Sequence, residues 1–305
     1  MDSKYKILSC ISAGAFIYYA SKYLFNYFTT ANNNNNNCNC NFNNNNNNSS
    51  NSNSDSKEYK LTEEEILREE LKRNYEFFGE EGMKRIRNSF VIVIGLDGIG
   101  SNVALTLIRS GINKIRLIDN SILTYKTYQY HPCAVMSDIF QLNSDIITKY
   151  AKQINPYVNI EIINSLSQID MNFNDNPSYI IDCLNKENDI PMKCDIIKQT
   201  HTLKLNLITN LYINNKDNQI KFDPTMIRQE QFQMVKSDST AKAMKHIYKC
   251  KYNEAVPNIN TVYSIEETKH NNNNNTTTTN NISIQAVIAQ VISSKVLCDI
   301  AQINK

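Results

Sequence analysis

The chain has 305 residues, 41% of them hydrophobic, and a net charge of +2, which allows one large or two small domains with an ordinary core and excludes a polycation. Its eight cysteines (Cys10, Cys38, Cys40, Cys133, Cys183, Cys194, Cys250 and Cys298) are scattered without a C-x-x-C pair. That excludes a disulfide framework or a zinc knuckle and leaves reduced, structural thiols.

The first segment, 1–30, is unlike the rest. Lys4 and Lys6 precede an apolar run, ILSCISAGAFIYYA, that continues past Lys22 to Phe28. Ile7 to Phe28 is long enough for a membrane span of about 20 residues. A cleaved signal peptide fits poorly after Ala20, and an amphipathic surface helix would need a strongly charged face. A membrane anchor is therefore expected over 1–30. Residues 31–58 are Asn and Ser with little else and cannot bury apolar area, so they are expected to be a disordered tether reaching about 30 Å. The domain proper is expected over 59–305. Tyr59 to Asn88 reads as charged and helical, with Thr62 capping Glu63–Glu65, Leu67 and Leu71 on one face, and a turn at Gly79–Gly82.

Ser89 to Asp119 holds four of the seven glycines. Val91–Ile94 is an apolar run typical of a strand buried on both faces. Gly95, Gly98 and Gly100 predict a tight turn, with Ser101 capping a helix whose apolar stripe is Val103, Leu107 and Ile108. Gly111 ends that helix, and Lys114–Asp119 is a second strand with an acid at its tip. This is a βαβ unit with a nucleotide-binding layout: glycines admit a phosphate, the helix N-terminus attracts it, and Asp119 reaches a ribose hydroxyl. Asp97 stands where the fingerprint has its second glycine, and a carboxylate there repels phosphate. A βαβ unit that keeps only its packing role is the competing reading.

Farther on, Thr124–Tyr130 reads as a polar loop and Ser137–Gln153 as a helix stopped at Asn155-Pro156. Asn159–Asn164 and Ser178–Cys183 read as strands, the latter with Asp182 near its end, and Ile190–Leu203 as a helix. Leu205–Leu211 is a fifth strand, and Gln219–Phe222 pairs back as a hairpin. Lys236–Lys251 is a basic helix surface. The tract 271–281 is an Asn/Thr-rich insertion. Ile284, Val287, Ile288, Val291 and Ile292 make a covering helix without chemistry. Alternating strands and helices predict a doubly wound, mostly parallel α/β sheet of Rossmann type, with Gly95–Gly100, Asp119 and Asp182 around one crevice.

Several segments together resemble one family: Arg73-Asn74, FFGEEGM at 77–83, VIVIGLDGIGS at 91–101, IRSGINKIRLID at 108–119, QINP at 153–156, YIIDC at 179–183 and Asp223-Pro224-Thr225. They are similar to the ThiF/MoeB/HesA adenylating fold, and within it to the branch that dehydrates threonylcarbamoyladenosine in tRNA. The match extends well beyond the glycine loop, which argues against an NAD oxidoreductase built on the same βαβ unit. The resemblance implies ATP and Mg2+ as cofactors and tRNA as substrate, the substrate carboxylate attacking the α-phosphate and the acyl-adenylate then cyclising with loss of AMP. It also implies a homodimer, or a heterodimer with an intact relative, and attachment to the mitochondrial outer membrane with a cytosolic catalytic domain.

Carried over by position, the resemblance implies that Gly95, Gly98, Gly100 and Ser101 form the phosphate loop and that Asp119 holds the ribose. Arg73 reaches the phosphates, across the dimer in many relatives, and Asp182 sits at the metal. Several positions depart from the pattern. Asp97 and Phe140 replace glycines, Gln129-Tyr130 replace Asn-Arg, Asn143 replaces the phosphate-binding lysine, and Asn185 replaces an aspartate that helps hold magnesium. Lys126 or Lys149 could substitute for the lost lysine. Two functional expectations follow: an ATP-dependent dehydratase with an unusual site, or a catalytically impaired relative acting as a membrane-anchored binding or dimerisation partner.

Overall fold

The structure, a computed structural model, describes residues 62–165, 173–211, 224–236, 238–265 and 282–302. The expected anchor (1–30), the tether (31–58), the 219–222 hairpin and the 271–281 insertion lie outside those residues, as does Asp223.

Two helices lead in. Helix α1 (Glu63–Glu70) starts on a capping box: Thr62 accepts from the Glu65 amide while Glu65 accepts from the Thr62 amide. Helix α2 (Lys72–Asn88) bends at Gly79 (φ +71°), which no side chain crowds, and then runs on through the buried Gly82. The turn predicted over Gly79–Gly82 is thus one residue wide, because only Gly79 leaves the helical region.

The βαβ unit follows as β1 (Phe90–Ile94), α3 (Gly98–Arg109) and β2 (Lys114–Ile118). A single turn of helix, α4 (Tyr125–Tyr128), and a 3-10 turn at Met136–Asp138 precede α5 (Asn143–Ile154). The helix predicted from Ser137 therefore starts later, after Phe140 turns the chain at φ +74°. Next come β3 (Asn159–Ile163), β4 (Tyr179–Asp182), α6 (Ile190–Thr202) and β5 (Leu207–Asn210). The chain closes with β6 (Ile227–Gln231), α7 (Ser239–Tyr252), β7 (Asn260–Ser264) and α8 (Ile282–Ala301). The sequence reading missed β6 and β7.

The seven strands order β3-β2-β1-β4-β5-β7-β6. All neighbours are parallel except β6, which runs antiparallel on β7 at one edge. The alternation of β1 divides the core. Val91 and Val93 face Met83, Ile86, Val103, Leu107, Ile147, Ile288 and Ile292. Phe90, Ile92 and Ile94 face Cys194, Ile197, Met244 and Tyr248. Side chains on a strand alternate between faces, so a fully apolar β1 needs helices on both sides. This is the doubly wound, mostly parallel sheet expected. Helix α8 is apolar enough by composition to cross a membrane, but half of that stretch is buried against the domain.

Candidate nucleotide site

The strand tips set the site. Ile94 at the end of β1 pairs with Ile118 of β2 on one side and Asp182 of β4 on the other. The residues that follow each strand therefore meet at one end of the sheet, where ligands of open α/β sheets bind.

The glycine loop is built differently from the turn predicted. Only Gly95 is a turn residue: its φ is +83° and its amide donates to the Ile118 carbonyl at 2.8 Å. Gly98 and Gly100 lie in the first turn of α3, with Asp97 as N-cap. A Cβ on Gly100 would sit 1.8 Å from the Gly95 carbonyl, so this glycine lets helix and strand approach. A Cβ on Gly98 would fall 1.8 Å from Gln285 Oε1 and 3.0 Å from the Tyr130 carbonyl. The covering helix α8 thus reaches the loop with a polar side chain. Both side-chain atoms of the buried Gln285 lack a hydrogen-bond partner.

Ser101 does not cap the helix. It is fully buried; its Oγ donates to the Leu96 carbonyl at 2.5 Å and lies 3.3 Å from His131 Nε2. Burial pushes the His131 pKa down to about 4, against the opposing pull of Asp138, so the ring is neutral at pH 7. The Ala134 amide donates to Nδ1 at 3.1 Å, which leaves the proton on Nε2 to be donated to Ser101. This chain ties the segment after β2 to the glycine loop.

Asp119 follows β2 and is 4% exposed. Its Oδ2 accepts from the Ser121 amide at 3.1 Å and the Ser121 hydroxyl at 2.5 Å. Burial, aided by the charge of Asp97, holds its carboxyl above the ordinary value; the Ser121 hydroxyl and the amides of Leu96 and Ser121 pull it down. Asn143, at the lysine position of the resemblance, donates from Nδ2 to Ser121 Oγ at 2.8 Å, while its Oδ1 is buried without a partner.

Asp97 does not stand alone as a negative charge. Lys186, from the loop after β4, places its ammonium 3.7 Å from Asp97 Oδ2. Burial raises the Asp97 carboxyl, Lys186 draws it down and the charge of Asp189 adds to the rise. The sequence reading missed Lys186, because nothing in the spacing links the two positions.

Asp182 is not available to a metal. It is fully buried; Oδ2 accepts from Lys193 Nζ at 2.7 Å and Thr209 Oγ1 at 2.5 Å, and Oδ1 accepts from the Leu184 amide at 3.1 Å. Lys193, itself wholly buried, was also missed. Two asparagines lie beside this group: Asn185, 2% exposed, and Asn210, which donates to the Leu184 carbonyl at 3.0 Å and keeps an unpartnered Oδ1. Among the described residues no three His, Cys, Asp or Glu side chains cluster as metal ligands. The chain's own residues therefore do not fit a resident magnesium.

The remaining expected residues do not present a free polar group to the crevice. Arg73 is exposed on the first turn of α2 and has no hydrogen bond or ion pair among the described residues. Lys149 is spent on Asp138 at 3.0 Å, and Lys126 is exposed on α4. Tyr130 is buried, its carbonyl against Gly98. Cys133 lies 3.9 Å from His131 Nδ1, yet burial and the Asp138 charge push its thiol up to about 12, too high for a nucleophile.

Comparison with known proteins agrees with this architecture. The chain is 29% identical over 210 residues to tRNA threonylcarbamoyladenosine dehydratase 1 of Saccharomyces cerevisiae, covering 67% of this chain and 47% of that one. It is 26% identical over 176 residues to the tRNA threonylcarbamoyladenosine dehydratase of Bacillus subtilis, covering 57% and 66%. The chain spans about half the length of the yeast relatives it matches. The crystal structure of E. coli tRNA N6-threonylcarbamoyladenosine dehydratase in complex with ATP superposes with a TM-score of 0.67 at 19% identity, over 78% of this chain and 96% of that one. The profile of the ThiF family matches residues 71–296, and with a doubly wound sheet that carries its glycine loop and strand-tip acids over that span, the chain belongs to the ThiF family.

Proposed function

We propose that the chain is an ATP-dependent tRNA threonylcarbamoyladenosine dehydratase. One observation carries the reading: unpartnered polar atoms of Asn143, Asn210 and Gln285 are buried around the glycine loop and the strand tips. A buried polar atom without a partner costs stability, and a polar ligand at this end of the sheet would satisfy it. The names of the relatives supply the substrate, and the Asp119 carboxylate beside the loop suits a ribose hydroxyl.

In this reading the first turn of α3 receives the phosphates through its free amides. Lys186 supplies the cation that position 143 lacks, passing from Asp97 to the phosphates when they bind. The threonyl carboxylate oxygen bonds to the α-phosphorus and pyrophosphate leaves. Attack within the threonylcarbamoyl group on the activated carbonyl then closes the ring and releases AMP, so that one water is lost overall. The protein's share is to hold the two reactants together and to neutralise developing charge. Any magnesium arrives on the triphosphate, and no step is assigned to Asp182.

The same proposal extends to the parts outside the described residues. The apolar run 7–28 anchors the chain in a membrane, taken as the mitochondrial outer membrane, and residues 31–58 tether a cytosolic domain at 59–305. Arg73, exposed and unpaired, is left to act across a dimer.

The test is calorimetry of Mg-ATP on the full chain, followed by mass spectrometry of tRNA carrying threonylcarbamoyladenosine. Micromolar ATP binding and loss of one water from the nucleoside are the expected results. No ATP binding at all would overturn the proposal in favour of a retained binding partner.

A further inference from the structure

The segment between β2 and α5 contains a short two-stranded ribbon. The Asn143 amide donates to the Ser121 carbonyl at 3.1 Å, Leu123 to Gln141 at 2.9 Å and Phe140 to Leu123 at 2.8 Å, with Ile122 opposite Leu142. One end of the ribbon is Ser121 and Asn143, the polar pair on Asp119. The other end carries two aromatic rings. Tyr125 and Phe140 stand edge to face, 5.6 Å between centroids at 87°, and each is 68% exposed. Lys126, beside Tyr125, is exposed as well.

Phe140 is the informative residue. Its φ of +74° is left-handed, a conformation that glycine adopts freely and a phenylalanine rarely. The resemblance expects glycine here, so the backbone keeps a glycine conformation while the side chain is a large ring. That ring is not in the core. A strained residue with an exposed aromatic side chain, at the end of a ribbon that begins in the candidate site, needs a use outside the fold.

We propose that Tyr125 and Phe140 form a stacking platform for an unpaired base of the RNA loop that delivers the threonylcarbamoyl group, with Lys126 against the adjoining phosphate. The inference rests on the tRNA reading above and adds the surface that grips the RNA. RNA is recognised chiefly through unpaired bases splayed onto aromatic faces. The two-residue step from Ser121 to Leu123 is about 7 Å along an extended strand, within reach of a nucleotide next to the one being modified. Two exposed rings with an exposed lysine next in sequence offer what a base and its phosphate need. A protein partner would want a broader apolar surface without the lysine.

The test uses the full chain and an RNA stem-loop with threonylcarbamoyladenosine in its loop, followed by fluorescence anisotropy. Phe140→Gly and Tyr125→Ser are expected to weaken binding about tenfold or more. Phe140→Leu, which keeps the backbone strain and the apolar bulk but has no ring, should weaken it as much as Phe140→Gly. Phe140→Gly should also unfold at the same denaturant concentration as the parent or a higher one, which separates lost stacking from lost folding. Stem-loop affinity within twofold of the parent in both Phe140 variants, with ATP still bound, would overturn the platform and leave the dehydratase reading standing. Self-association of the parent that Phe140→Gly abolishes, without loss of RNA affinity, would likewise overturn it by making the patch a contact between copies. A parent that binds neither ATP nor the stem-loop would overturn both.

Discussion

The ammonium of Lys186 lies 3.7 Å from the carboxylate of Asp97, so the acid in the glycine loop meets a counter-charge from the loop after β4. The pair brings no net charge to the first turn of α3, whereas Asp97 alone would face a phosphate with a like charge. A triphosphate at that turn competes for the same lysine. Lys186→Met should therefore raise the Kd for Mg-ATP about tenfold, the scale of one charge-assisted hydrogen bond. Asp97→Gly, which releases the lysine and removes the carboxylate, should lower it. Calorimetry checks both, and an unchanged Kd in Lys186→Met would remove the lysine from the site.

His131 gives a pH dependence with a defined sign. Its folded pKa is depressed to about 4 against an ordinary 6.5, so the unfolded chain takes up the proton first as pH falls. Stability contributed by the neutral ring is present above pH 6.5 and is lost as pH falls from 6.5 towards 4. Urea midpoints at pH 7.5 and pH 5 should differ more for the parent than for His131→Gln, which keeps an amide donor for Ser101 but does not titrate.

The two glycines in the first turn of α3 fail differently. Gly100→Ala sets a Cβ 1.8 Å from a backbone carbonyl that cannot move without opening the strand–helix junction, and soluble folded protein should be lost. Gly98→Ala meets the end of the Gln285 side chain, so Gln285→Ala should recover much of the lost stability. Gln285→Leu alone should stabilise the ligand-free protein by about 1–2 kcal/mol, since it removes two buried unpartnered polar atoms. Soluble yield of Gly100→Ala and denaturant midpoints of the other three variants check the set.

Lys193 and Asp182 are both fully buried at 2.7 Å. Lys193→Met strands the carboxylate in the core and should cost about 3–5 kcal/mol. Lys193→Met with Asp182→Asn should recover most of that. If the single variant unfolds like the parent, the pair is not a structural charge.

The βαβ unit was legible because its signals are local: an apolar run, glycines, a second run and an acid follow one another within Ser89–Asp119. The tips at Asp119 and Asp182 followed from strand ends. The charges that define the site were not legible, because Lys186 and Lys193 reach their acids through space, and in sequence they look like ordinary lysines near a helix start. Likewise β6, read as IRQEQ, and β7, read as NTVYS, carry too few apolar residues to announce strands. Their pairing with each other and with β5 decides them. Gln285 lies in a stretch whose apolar stripe predicts a covering helix but does not show which polar side chains, Gln285 and Ser293, turn inward.

Helix α8 closes over α3 from far along the chain: Gln290 Nε2 donates to Thr106 Oγ1 across 184 positions of sequence. Bringing such distant segments together must precede the contacts that reward it, which slows folding. The glycine loop is therefore not a portable cassette. Residues 89–119 on their own would leave Val103, Leu107 and Gly98 uncovered. In the refolding chain the loop should reach its final form only when α8 docks, after the parallel strands have found one another. Amides of α3 from Ser101 onward, the first to bond within the helix, would then acquire protection from hydrogen exchange together with those of α8 rather than with β1.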